Sequence, residues 1–236
     1  MWQERTQLLI KEEGIQRLSN ASVLIAGVGG VGGYAVEMLV RAGIGHITII
    51  DNDDVHDSNI NRQIIATQEN IGKSKVELFK KRLTSINPEL DITCHKTFID
   101  EENIATFFEK QKYDFVVDAI DTIAPKMALI RYCLDNKISI ISSMGAGGRI
   151  DPSKIQLSDI NKTHHCALAK TVRTQLSKTH KGKKLKVVFS EEEIDKKSIL
   201  LINEKNKKST LGTISYIPAV FGCYIASYVI QKIANL

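Results

Sequence analysis

The 236 residues, 43% hydrophobic and 25% charged, suffice for one substantial core and have ordinary globular composition. The formal net charge of +5 is local: between Asp151 and Phe189 nine Lys or Arg stand against two Asp and no Glu, so the remainder is slightly acidic. Cys94, Cys133, Cys166 and Cys223 form no C-x-x-C pair, which argues against structural zinc or a dithiol redox site and leaves free, mostly buried thiols as the expectation.

In chain order, "MWQERTQLLIKEEG" reads as a polar amphipathic helix rather than a leader, and a cytoplasmic protein is expected. Five short strand-like runs follow: "SVLIA" (22–26), "HITII" (46–50), "LDITC" (90–94), "DFVVDA" (114–119) and "ISIIS" (138–142). Between them "YAVEMLVRAG", "KSKVELFKKRLTSI" and "APKMALIRYCLDN" carry apolar residues at helical spacing. This alternation predicts an α/β fold, a doubly wound, Rossmann-like, mostly parallel sheet.

After Ser143 the pattern changes. "MGAGGRIDPSKIQLSDI" predicts a glycine-rich turn and edge strands, "CALAKTVRTQLSK" a short helix, and "THKGKKLKVVF" a basic turn entering a strand. "SEEEIDKKSILLINEKNKKST", rich in charge, predicts a mobile loop. The apolar "ISYIPAVFGCYIASYVIQKIANL" approaches transmembrane length, but Ser, Tyr, Gly and Pro interrupt it, which favours a helix buried against the sheet over membrane association. One domain over 1–236 is expected, with a nucleotide-binding core (1–143) and a substrate-facing extension and closing helix (144–236).

"GVGGVGG" (27–33) follows the first strand and opens a helix, so Gly27, Gly29 and Gly32 fit G-x-G-x-x-G. Glycines allow a tight turn and close backbone approach, and a helix N-terminus attracts phosphate. Asp51 ends the second strand, where a carboxylate accepts from ribose hydroxyls or merely caps the strand. To this point a nicotinamide enzyme fits equally well. The stretch "DNDDVHDSNINRQ" with "IGKSKVE" and "VVDAIDT" separates the readings. It holds Asn59, Arg62, Gln63, Lys73, Lys75 and Asp121, a set of cations, amides and a carboxylate suited to phosphoryl or nucleotidyl transfer. Asp53 and Asp54 read as turn residues, Lys73 equally well as a solvated lysine, and Asp118, within a strand, as a packing or backbone partner.

Together these motifs resemble the adenylating enzymes of the ubiquitin-activating superfamily. The resemblance implies that Gly27, Gly29, Gly30 and Gly32 cradle ATP phosphates and that Asp51 holds the ribose. It implies that Asn59, Arg62 and Lys75 bind the phosphates and leaving pyrophosphate, with Gln63 adjoining. Asp121 would serve Mg2+ and the adenylation step, and Arg5 would complete a partner's site in a homodimer. "SSMGAGGRIDPSKIQLSDINKT", "CALAK" and "GTISYIPAVFG" look like one branch, the tRNA threonylcarbamoyladenosine dehydratases. That likeness implies ATP activation of the carboxylate of threonylcarbamoyladenosine in tRNA, then ring closure by the neighbouring carbamoyl group. It makes Arg173, Lys178, Lys181, Lys183, Lys184 and Lys186 candidates for tRNA phosphates, with His180 beside them and Lys205, Lys207 and Lys208 as weaker ones. A solvated lysine-rich turn is the plain alternative. Cys166, after His164 and His165, is a candidate acyl or sulfur acceptor against a packing thiol, and a cysteine desulfurase-type sulfur-transfer partner is compatible. The rival reading is activation of a small sulfur-carrier protein.

Overall fold

The computed structural model describes residues 2–195, 198–204 and 207–236, with the backbone alone described over 199–204 and 207–210. In order the elements are α1 (Glu4–Asn20), β1 (Ser22–Ala26), α2 (Gly32–Ala42), β2 (His46–Ile50), α3 (Lys75–Ile86), β3 (Asp91–His95), α4 (Thr106–Glu109) and β4 (Phe115–Asp118). Then follow α5 (Ile123–Asp135), β5 (Ile140–Ser143), β6 (Ile155–Asp159), α6 (Ala167–Thr179), β7 (Lys186–Ser190), β8 (Ile199–Glu204), β9 (Lys207–Leu211) and α7 (Tyr216–Ala234).

The main sheet has seven strands in the order β3-β2-β1-β4-β5-β7-β6, all parallel except β6, which runs antiparallel to β7. Strand order reverses between β1 and β4, the switch point at which open α/β sheets bind ligands. Successive residues of β1 feed different cores, as side-chain alternation requires. Val23 and Ile25 pack with α2, α3 and α7, while Leu24 and Ala26 pack with α5 and α6. Burial on both faces explains why the strands read as unbroken apolar runs.

The predicted strands lie where expected to within one or two residues. The segment read as a mobile loop is different. Its two halves pair as an antiparallel ribbon, β8 with β9, and the base is held by Gly212 N to Ser198 O at 2.9 Å and Gly148 N to Gly212 O at 2.7 Å. Backbone pairing defines these strands, so charge density was a poor guide.

The apolar C-terminal segment forms α7, which alone among the described helices is long and apolar enough to cross a membrane. Its residues Ile217, Phe221, Ile225 and Val229 are fully buried. A Cβ at Gly222 would stand 2.5 Å from Val31 O, so α7 lies hard against the start of α2.

Glu37 links α2 to α3. Buried, it accepts from Arg82 at 2.6 and 3.0 Å and from Arg41 at 3.0 and 2.9 Å. Burial pushes its carboxyl up, but the Arg82 and then Arg41 hydrogen bonds outweigh this and hold it below the ordinary 4.5. A depressed carboxylate contributes stability above its unfolded-state pKa and loses it as pH falls through the folded value. Glu37→Gln is therefore expected to cost about 1–3 kcal/mol at pH 7. The difference from the parent should shrink as pH falls below the ordinary 4.5 and through the lowered folded value, as urea denaturation at several pH values would test.

Candidate active site

The turn after β1 runs against the turn after β4. Gly27 has φ +84° and no room for a Cβ, which would lie 2.9 Å from Ala119 O. A Cβ on Gly32 would fall 1.8 Å from Gly27 O. The glycine loop is thus folded back on itself and delivers the start of α2, the positive end of its dipole, to the crevice, with Gly33 N donating to Gly29 O at 3.0 Å.

A cleft of about 920 Å³ opens here, lined among others by Gly27, Gly29, Gly30, Asp51, Arg62, Gln63, Lys75 and Asp121. The structure therefore gathers most of the expected site residues. Gly32 is buried behind the loop as the first residue of α2. Arg5, exposed on α1, does not line the cleft of its own chain.

Asp51 is pinned by two main-chain amides, Val28 N at 2.8 Å and Asp53 N at 2.9 Å. Burial raises its pKa, a shift opposed by the Lys75 charge and these amides. It ties the strand end to the glycine loop, the capping role foreseen for it, and it lines the cleft.

Lys75 opens α3 and is buried, with Nζ 2.8 Å from Asp53 Oδ2. Asp53, half-exposed on the cleft wall, is more than the turn residue expected; its partner is 22 positions away, beyond local reading. Asp54 pairs with Lys96 at 2.7 Å, and Lys73 is exposed outside the cleft.

Asn59 is buried and organises the turn before the two polar wall residues. Its Oδ1 accepts from His56 N at 3.2 Å, and its carbonyl accepts from Arg62 N at 3.1 Å and Gln63 N at 2.9 Å. Arg62 Nη1 donates to Ser58 O at 2.7 Å and Asn61 Oδ1 at 2.8 Å. Burial lowers its pKa, and the Asp121 charge opposes that. Gln63 Oε1, buried on the cleft wall, has no hydrogen-bond partner among the described residues, so it is available to a ligand donor.

Asp121 is exposed in the cleft lining, and Thr122 Oγ1 donates to its Oδ1 at 3.3 Å. Asp118 points into the protein, fully buried, as its strand position predicted. Its partner Lys126 was missed. The available signal was a lysine on the apolar stripe of α5, three residues after Ile123 and four before Ile130.

The basic segment sits elsewhere. Lys178 lies in the last turn of α6, Lys181, Lys183 and Lys184 are exposed in the turn that follows, and Lys186 opens β7. Because β7 is parallel to β5, these lysines lie at the sheet end opposite the cleft, about 17 Å away along the five residues of β7. Arg173 turns inward, its Nη1 donating to Thr163 Oγ1 at 2.6 Å and Thr163 O at 2.9 Å. His180 pairs with Asp135 at 2.9 Å. Lys205 lies outside the described residues, as do the side chains of Lys207 and Lys208.

Cys166 is buried, caps α6 by accepting from Ala169 N at 3.5 Å, and stands outside the cleft lining. His164 and His165 pair with Glu191 and Glu193 at 3.5 and 3.2 Å, their rings 4.9 Å apart.

A glycine-loop cleft at a switch point, with an arginine and a buried lysine on its walls, defines a nucleotide-binding α/β enzyme of the adenylating type. Residues 3–236 match the model of the ThiF family. A tRNA threonylcarbamoyladenosine dehydratase of Bacillus subtilis (strain 168) is 39% identical over 237 residues, covering 97% of this chain and 93% of that one. The crystal structure of Escherichia coli tRNA N6-threonylcarbamoyladenosine dehydratase in complex with ATP superposes with a TM-score of 0.89 at 37% identity, covering 99% of this chain and 95% of that one. An "adenylyltransferase and sulfurtransferase" of Culex quinquefasciatus is 35% identical, but over 58% of this chain and 31% of its own. The chain belongs to the ThiF family, in its tRNA threonylcarbamoyladenosine dehydratase branch.

Gly32→Ala is expected to weaken nucleotide binding about 10- to 100-fold, since the added methyl must displace the Gly27 carbonyl. Gly29→Ala, whose Cβ meets only the Gln63 side chain, no closer than 3.6 Å, should leave the melting temperature unchanged. Titration calorimetry and thermal unfolding of the two variants would check the contrast.

Proposed function

We propose that the chain is an ATP-dependent dehydratase of threonylcarbamoyladenosine in tRNA. The observation that carries the reading is the meeting of Arg62, Lys75 and Asp121 on one glycine-loop cleft. A hydride-transfer enzyme has no use for such a set, whereas displacement of pyrophosphate from ATP does.

The substrate carboxylate attacks the α-phosphorus, pyrophosphate leaves, and an acyl adenylate forms. A carbamoyl atom of the same modified base then attacks the activated carbonyl and expels AMP. The water lost from the nucleoside is accounted for by ATP becoming AMP and pyrophosphate. Nucleophile and electrophile share one base, so proximity supplies much of the second step. No protein nucleophile is required, which leaves Cys166 a packing and capping role. The reaction consumes no sulfur, so a cysteine desulfurase-type partner would act only by binding.

Gly27, Gly29, Gly30 and Gly32 form the phosphate cradle, Asp51 faces the ribose, and the free Oε1 of Gln63 takes a ligand donor. Arg62 and Lys75, with Asn59 shaping their turn, neutralise the departing pyrophosphate; phosphate oxygens compete with Asp53 for Lys75. Among the described residues no three metal-ligating side chains converge. Mg2+ fits such a site because it takes one or two carboxylates and fills its shell with phosphates and water. Asp121 is the carboxylate that would hold it, and the ion would supply charge neutralisation on the phosphates.

Arg5 belongs to a homodimer in this reading. It shares α1 with Leu8 and Leu9, which are 82% and 83% exposed, an uncovered apolar surface suited to a second copy. The enzyme is cytoplasmic, where its substrate RNA is found. The tRNA reaches the far lysines along α6, which begins at the cleft beside Leu168 and spans about 20 Å. Its exposed face carries Lys170, Thr171, Thr174, Ser177 and Lys178, and no Asp or Glu occurs between Asp159 and Glu191. Arg173, turned inward, steadies that helix.

Mass spectrometry of nucleosides from threonylcarbamoyladenosine-bearing tRNA, incubated with protein, ATP and magnesium, tests the reading. Loss of one water is expected, with Arg62→Ala slower by about 10³-fold. An unchanged nucleoside together with pyrophosphate exchange on a small carrier protein would replace this reading with carrier activation. Changing Lys181, Lys183 and Lys184 together to Ala should weaken tRNA binding and reduce its salt slope by about 3, with ATP binding unaffected.

A further inference from the structure

Lys126 is fully buried on α5. Its three ammonium protons have three acceptors: Asp118 Oδ2 at 2.6 Å, Ser143 O at 3.0 Å and Ser142 Oγ at 3.1 Å. Ser142 Oγ donates in turn to Asp118 Oδ2. Asp118 Oδ1 accepts the Ile120 amide at 3.1 Å. One cation thereby ties together α5 and the C-terminal ends of β4 and β5.

The two segments that leave those strand ends are walls of the cleft. Ile120, Asp121 and Thr122 line it beyond β4, and Ser143, Met144 and Gly145 line it at the end of β5. The Ala119 carbonyl of the first segment is also the atom that Gly27 must clear. Any shift of this segment therefore moves Asp121 relative to the glycine loop.

A buried ion pair is a weak device for stability, because apolar side chains of similar volume often serve as well. A fully satisfied one fixes a single arrangement. We infer that Lys126 is a positioning residue for the adenylation step, acting through Asp118 and Ser143 to set the segment that carries Asp121. It reaches no reactant itself. The inference rests on the reading of this cleft as an adenylation site.

Lys126→Met alone leaves an unpaired buried carboxylate, so the informative variant is Lys126→Met with Asp118→Asn. It removes both charges and keeps an oxygen for the Ile120 amide. The double variant is expected to melt close to the parent, to bind ATP within about threefold, and to lose about 100-fold in kcat for tRNA-dependent AMP release, the scale of a 1 Å displacement. Deuterium exchange at the backbone amides of 119–122 should be faster than in the parent. Recovery of kcat to within about threefold of the parent would overturn the inference, leaving Lys126 only to neutralise Asp118. Should the double variant not fold, Ser142→Ala deletes the hydroxyl between the two charges. It is expected to lower kcat about tenfold at an unchanged melting temperature, and an unchanged kcat would equally overturn the inference. If the parent forms no cyclic nucleoside, the functional reading fails by itself; faster exchange at 119–122 would still support the positioning role, and parental exchange would overturn it.

Discussion

The cleft depends on how closely two backbones can pass. The turn after β1 meets the turn after β4 at the sheet's switch point, where Gly27 leaves no space beside Ala119 O and Gly32 none beside Gly27 O. From above, α7 presses on the same turn, with Gly222 against Val31 O. Three contacts at which only a hydrogen fits put the end of β1, the start of α2, the end of β4 and α7 around one small volume. Asp51 fastens the arrangement by accepting from Val28 N. The apolar final helix is therefore part of the nucleotide site's support, and its hydrophobicity reflects that burial.

Electrostatics at the cleft follow from this crowding. Burial works against the charged form of both Asp51 and Arg62, and in each case an opposite charge, Lys75 or Asp121, restrains the shift. Lys75 Nζ is held 2.8 Å from Asp53 Oδ2 at low solvent exposure, so its position in the cleft is fixed. A triphosphate entering such a site meets fixed charges and dipoles that need little rearrangement, which is what electrostatic stabilisation of a leaving pyrophosphate requires.

What could be read from the chain was whatever local patterning encodes. Strands buried on both faces show as β-branched runs, and the glycine loop, Asp51, the "SNINRQ" turn and Asp121 each lie in a short contiguous motif. Features that needed the third dimension were lost. Lys126 lies 8 and 16 residues from Asp118 and Ser142, and Asp53 finds Lys75 across a whole loop and turn. The β8–β9 ribbon is held by main-chain pairing that composition does not report. Arg173 looked like one more member of a basic run, yet Thr163 draws it inward.

The far position of the lysines has the same origin and a consequence for recognition. Chemistry in a parallel sheet gathers at the carboxyl ends of its strands, and a loop that enters such a strand must lie at the other end. The β7 strand obeys this rule, because β6 alone reverses and α6 carries the chain back down before Lys186. Binding charge and reacting groups are consequently separated by the length of one helix. A free nucleoside could fill the cleft without touching that charge, whereas an RNA stem lying along α6 would meet both. In the proposed reading, discrimination for polymeric RNA would follow from topology, with no base-specific contact needed at the basic end.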